Sequence, residues 1–192
     1  ILIGIAWSGD APGQEPAPSG GADREVQIRD RYEQVLATDP MRDPAFDRTY
    51  DAYLALEGID AWVEKLQAPA PTEEEARARL VLLGRIASRR FRSRDAVTYL
   101  ERARERGMTD PRFEVLLGKE YGRIGRDDEA IAELTAAVEA LTDPAERADV
   151  CRALGSLLLR RGREAEAIAT WERIAAGAGS DALALAELAE IY

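Results

Sequence analysis

One pattern is written three times along this chain, and a pattern recurring at fixed spacing constrains the fold more than any single residue. Residues 82–100 read LLGRIASRRFRSRDAVTYL, residues 116–134 read LLGKEYGRIGRDDEAIAEL, and residues 153–171 read ALGSLLLRRGREAEAIATW. Gly84, Gly118 and Gly155 each follow a leucine (Leu83, Leu117, Leu154), and they stand 34 and 37 residues apart. Twelve residues beyond each glycine comes an alanine: Ala96, Ala130 and Ala167. Four further comes a large apolar residue: Leu100, Leu134 and Trp171. Gly125 and Gly162 fall seven residues after the repeat glycine.

Within each copy the apolar residues recur at spacings of three and four, which is helical periodicity; no run alternates with period two. Each unit therefore reads as two helices joined by a turn, which falls at Gly125 and Gly162 in the second and third copies. A glycine in the first helix and an alanine in the second let the backbones approach closely, and the large residue fills the space beside them. Such a hairpin leaves one apolar side uncovered, and stacking its neighbours covers it. Helix starts are also written in the sequence. Asp-Pro recurs at 39–40, 43–44, 110–111 and 143–144, and Thr72 stands three before Glu75. An aspartate or threonine accepts from the free amides of a first turn, and proline suits the first helical position because it has no N–H to leave unpaired. Each Asp-Pro is expected to start a helix.

These units resemble the tetratricopeptide repeat, whose pattern is W-x2-L-G-x2-Y, then A-x3-F, then P. Residues 111–144 match through Leu117, Gly118, Tyr121, Ala130, Leu134 and Pro144. Residues 148–181 match through Leu154, Gly155, Ala167 and Trp171, with Cys151 where Trp is usual and Leu158 for Tyr. Residues 77–110 match through Leu83, Gly84, Ala96 and Leu100, with Leu80 for Trp and Ala87 for Tyr. The resemblance implies an all-α fold: a right-handed α-solenoid of stacked antiparallel helical hairpins.

The solenoid is expected over residues 23–192, with units at 77–110, 111–147 and 148–181. Residues 182–192 read as a partial unit, and residues 44–71 as a degenerate one. Tyr53 lies nine before Trp62, as Tyr121 lies before Ala130, so a large residue replaces a small one there. Residues 23–43 read as a partial unit holding a lone second helix, with Ile28, Tyr32 and Val35 facing inward. Residues 9–22, rich in Pro, Gly, Ser and Ala, read as a flexible linker. Residues 1–7 are too few to span a bilayer. They are read as the tail of a signal peptide's apolar core or as the end of an upstream element, and export is preferred over a cytoplasmic location on the first reading.

Composition narrows the chemistry. The chain has 192 residues and no histidine, which removes the commonest general base and metal ligand. A single cysteine, Cys151, allows neither an intrachain disulfide nor a thiolate cluster, and its apolar neighbours place it in the core. No metal, no cofactor and no catalytic residue is expected, and the chain is not read as an enzyme. A net charge of −10 argues against nucleic acid as a partner. No stretch is apolar for long enough to embed the chain in a membrane. The charge is uneven, however: residues 77–110 hold ten basic and four acidic groups, net +6. The acidic runs 73–75 and 127–129, with Glu164 and Glu166, sit at expected helix starts, where negative charge complements the helix dipole.

In the tetratricopeptide family the first helices line a concave groove that grips extended or helical peptide segments. Carried onto this chain, the groove is lined by residues between the packing positions: Arg85 and Lys119 one after the repeat glycine, Arg89, Arg123 and Arg160 five after, and Arg152 three before Gly155. Such a basic ladder is read in two ways. It is a clamp for an acidic segment or a C-terminal carboxylate, which arginine holds bidentately. Alternatively, its members satisfy the last carbonyls of their helices. The expected function is a protein–protein interaction scaffold binding a peptide or partner segment, as a fragment of a longer repeat protein. The alternative is a regulatory or substrate-presenting arm of an enzyme whose catalytic domain lies elsewhere. Oligomeric state is left open.

Overall fold

The structure, a computed structural model, describes residues 20–178, with side chains described from 23 to 174. The expected signal-peptide tail, most of the linker and the partial unit at 182–192 lie outside them. Among the described residues all regular structure is helical. In chain order the helices are α1 Gly20–Thr38, α2 Asp43–Leu56, α3 Ile59–Gln67, α4 Glu73–Arg89, α5 Ser93–Glu105, α6 Pro111–Arg123, α7 Asp127–Ala140, α8 Pro144–Arg160 and α9 Glu164–Ala178. The pairs α4–α5, α6–α7 and α8–α9 are hairpins; the first two each stack on the next through their second helix. None of these helices is long and apolar enough to cross a membrane.

The close approach inside each hairpin is physical. A Cβ built on Gly84 would lie 2.6 Å from Leu100 Cδ2, and one on Gly118 would lie 2.9 Å from Leu134 Cγ. At Gly155 the Trp171 indole occupies that space. Ala96, Ala130 and Ala167 are fully buried opposite. Leu83, Leu117, Leu154 and Tyr121 are buried beside them, as is Cys151, whose thiol burial pushes upward in pKa.

Three caps follow the sequence. Thr72 Oγ1 accepts from the Glu75 amide at 3.1 Å, Asp110 from the Arg112 amide at 2.8 Å, and Asp143 from the Ala145 and Glu146 amides at 2.9 Å. Asp39-Pro40 departs from expectation, because it opens a turn and no helix. Asp39 accepts from the Met41 amide across that turn, and α2 begins at the second Asp-Pro, four residues on.

At the N-terminal end, α1 begins at Gly20, inside the stretch read as linker. It packs along α2, while α3 is short and packs chiefly on α4. Tyr53 in α2 donates to Glu33 in α1 at 2.8 Å, and Tyr121 in α6 donates to Glu101 in α5 at 2.9 Å. Both partners lie twenty residues upstream, so α1 stands to α2 as a second helix stands to the next unit's first. One face is corrected. Leu36 is fully buried and Val35 is 37% exposed, because the inward row runs 28, 32, 36, at spacing four throughout. Trp62 replaces the usual small residue by lying flat on Tyr53, ring centroids 5.3 Å apart and planes 6° from parallel.

Candidate partner-binding groove

The first helices α2, α4, α6 and α8 line one face of the stack. Along it runs an open cavity of about 450 Å³. Its apolar floor comes from Met41, Phe46, Val115, Leu116, Leu141 and Val150. Charged side chains wall it: Arg85, Arg89, Arg112 and Lys119 on one count, Asp43, Asp47, Glu146 and Asp149 on the other.

Four cations against four carboxylates make this groove charge-balanced, not a basic ladder. The physical reason is the parallel run of α2 beside α4. Asp43 pairs with Arg85 and Asp47 with Arg89, each across 42 residues. Arg85 is the more committed of the two arginines. It is buried, donates to the Pro40 carbonyl at 2.6 Å, and lies 4.0 Å above the Phe46 ring centroid. Burial lowers its pKa, and the Asp43 carboxylate works against that shift. Arg89 lies 4.4 Å above the Tyr50 ring. Arg112 bridges Asp110 at 2.8 Å and Asp39 at 3.2 Å, so the turn before α2 is tied to the start of α6.

Lys119 differs from these. It is exposed and forms no ion pair or hydrogen bond among the described residues. The other three cations expected in the groove lie outside this cavity's lining. Arg123 turns to Glu120 and Ser88. Arg152 pairs with Asp149. Arg160 is exposed in the last turn of α8. Cation spacing alone does not reveal the acidic wall. The signal was present: Asp43 and Asp47 repeat the four-residue spacing of Arg85 and Arg89.

No family model matches the chain, and no curated protein matches it. Solved structures do. YrrB, described as a TPR protein with an unusual peptide-binding site, is 20% identical, and the match covers 87% of this chain and 84% of that one, with a TM-score of 0.57. MamA is 22% identical over 74% of each chain, with a TM-score of 0.53. TTC0263, a thermophilic TPR protein from Thermus thermophilus, is 22% identical over 89% of this chain and 92% of that one, with a TM-score of 0.50. The fold is that of a tetratricopeptide-repeat solenoid.

Against the tetratricopeptide frame, one buried residue is out of place. Two positions after the repeat glycine, α4 has Ile86 and α8 has Leu157, both in the core. The same position in α6 is Glu120, fully buried. Its Oε1 accepts from Ser88 Oγ at 2.6 Å and from Arg123, while Oε2 has no hydrogen-bond partner among the described residues. Arg123 also donates to Ser88 Oγ at 3.2 Å. A buried carboxylate needs its cation, so Arg123 compensates Glu120 before it can serve any ligand. Among the described residues that line the groove, Lys119 is therefore the cation without an ion pair.

Proposed function

We propose that this solenoid is a protein–protein interaction scaffold whose concave groove grips a segment of a partner protein. One observation carries the reading: an apolar floor flanked by charges that form ion pairs among the described residues, save Lys119 and Glu146. A segment that fits places an apolar side chain over Val115, Leu116 and Val150. It sets a carboxylate against Lys119 and a cation near Glu146. The acidic group is a side chain or the C-terminal carboxylate of the segment. The helices hold this face in shape before any ligand arrives, which limits the ordering cost of binding. YrrB, similar in fold, is described as having a peptide-binding site, which agrees with the reading without fixing the ligand.

The test is a display library of random peptides selected against the chain, followed by titration of the tightest binders. Lys119→Glu is expected to weaken peptides bearing an acidic residue at least tenfold. A lysine placed at that peptide position should restore binding to the variant. Selected peptides indifferent to Lys119→Glu and to Val115→Asp would overturn the groove reading.

A further inference from the structure

Phe91 occupies a position that the other two full hairpins give to glycine. It stands seven residues after Gly84, as Gly125 stands after Gly118 and Gly162 after Gly155. Its φ of 57° lies in the left-handed region, beside 81° and 71° for those glycines. It is the one non-glycine residue with positive φ among the described residues. The turn itself is the same in all three hairpins. The Arg92 amide donates to the Ala87 carbonyl at 2.8 Å, the Arg126 amide to Tyr121 at 2.9 Å, and the Arg163 amide to Leu158 at 2.9 Å. The hairpin sets this geometry, and a bulky aromatic is held in it against its own preference.

The same side chain is 90% exposed, where the next most exposed large hydrophobic among the described residues, Leu54, is 63% exposed. Strain and exposure fall on one residue, and neither helps the chain fold. The surroundings give the site its chemistry. Residues 89–94 read Arg-Arg-Phe-Arg-Ser-Arg, with no acid among them. Arg90 meets Asp60 at 2.7 Å and Arg92 meets Asp95 at 2.6 Å, both as exposed surface pairs of the weak kind. Arg94 is exposed and carries no ion pair among the described residues.

We propose that the α4–α5 turn is a second binding site, separate from the groove, in which Phe91 plugs an apolar pocket bordered by carboxylates on a protein partner. Arg94 meets the carboxylate rim, and Arg90 and Arg92 can exchange their surface partners for it. Aromatic and arginine side chains are the types that dominate protein interface energetics. The net charge of −10 opposes approach to anionic lipid or nucleic acid, so the local basic cluster suits a few carboxylates on a protein and not a polyanionic surface.

The test places the photocrosslinker p-benzoylphenylalanine at position 91 of the full chain, in extract of the source cells, and maps the adduct. The captured protein is then purified and titrated against wild type, Phe91→Gly, Arg94→Glu and Lys119→Glu. One discrete adduct is expected, mapping to an Asp- or Glu-bordered site. Phe91→Gly, which installs the turn's usual residue and so keeps the fold, should weaken affinity at least tenfold. Arg94→Glu should weaken it several-fold, and Lys119→Glu should leave it unchanged. The proposal is overturned by equal affinity of Phe91→Gly and wild type, by scattered adducts or none, by adducts only to a second copy of this chain, or by Phe91-dependent binding to anionic phospholipid vesicles in place of a protein.

Discussion

Replacing Arg123 by alanine strips the Glu120 carboxylate of its one cation among the described residues while leaving it fully buried. Removing one partner of a wholly buried ion pair costs about 3–5 kcal/mol, and of a surface pair at most about 1 kcal/mol. Here the carboxylate is buried but the Arg123 side chain is 49% exposed, and Ser88 still donates to Oε1. Solvent screening on the arginine side brings the expected loss to about 2 kcal/mol. For a chain of this size that is a fall in melting temperature of about 4–8 °C. The second arm is the double variant Glu120→Leu with Arg123→Ala. Leucine is what α8 carries at this position, as Leu157, and it leaves no charge to compensate. The double variant should therefore recover to within about 1 kcal/mol of wild type, or exceed it. Chemical denaturation followed by far-UV circular dichroism reads both. An Arg123→Ala midpoint indistinguishable from wild type, with no recovery in the double variant, would refute the argument that Arg123 is committed to the core.

Other perturbations test other parts of the account. Gly155→Ala drives a Cβ into the Trp171 indole; overpacking of about 1–3 kcal/mol, less the roughly 1 kcal/mol that helix propensity returns, should leave a net loss of up to about 2 kcal/mol by denaturant titration. Phe91→Gly should instead stabilise the chain by about 1 kcal/mol, since the left-handed conformation costs a non-glycine residue about 1–2 kcal/mol and glycine gives part of that back as unfolded-state entropy. Burial alone would raise the Asp110 carboxyl, yet the Arg112 side chain and backbone amide hold it below its ordinary value. Its contribution is therefore fully present above the unfolded carboxyl range near pH 4 and is lost as pH falls through the depressed folded value. Asp110→Asn should flatten that acid limb in a pH series of melting temperatures.

How much of this was legible in the sequence differs by residue, for reasons that are geometric. Gly84 against Leu100 and Gly118 against Leu134 could be read because both partners sit at fixed offsets inside one hairpin. The Asp43–Arg85 and Asp47–Arg89 pairs join helices from different units, and the short α3 makes the spacing between those units irregular. Cation spacing alone thus describes a ladder, where the folded groove is balanced. Asp39-Pro40 carries the same letters as a helix start, but a second Asp-Pro four residues later takes that role and leaves the first to a turn. Glu120 and Phe91 show a different limit. Aligning the three units puts Glu120 in a column with Ile86 and Leu157, and Phe91 in a column with Gly125 and Gly162. Both departures are visible there, but only burial and φ reveal what each one costs.

The central claim is that the face built by α2, α4, α6 and α8 is where a partner segment lies. Hydrogen exchange with and without the tightest display-selected peptide tests it most directly. Protection should concentrate in the first-helix segments that line the groove, around Phe46, Arg85 and residues 112–119, and leave α5 and α7 unchanged. Protection confined to α5 and α7, or tight binding with no change along the groove helices, would contradict the account.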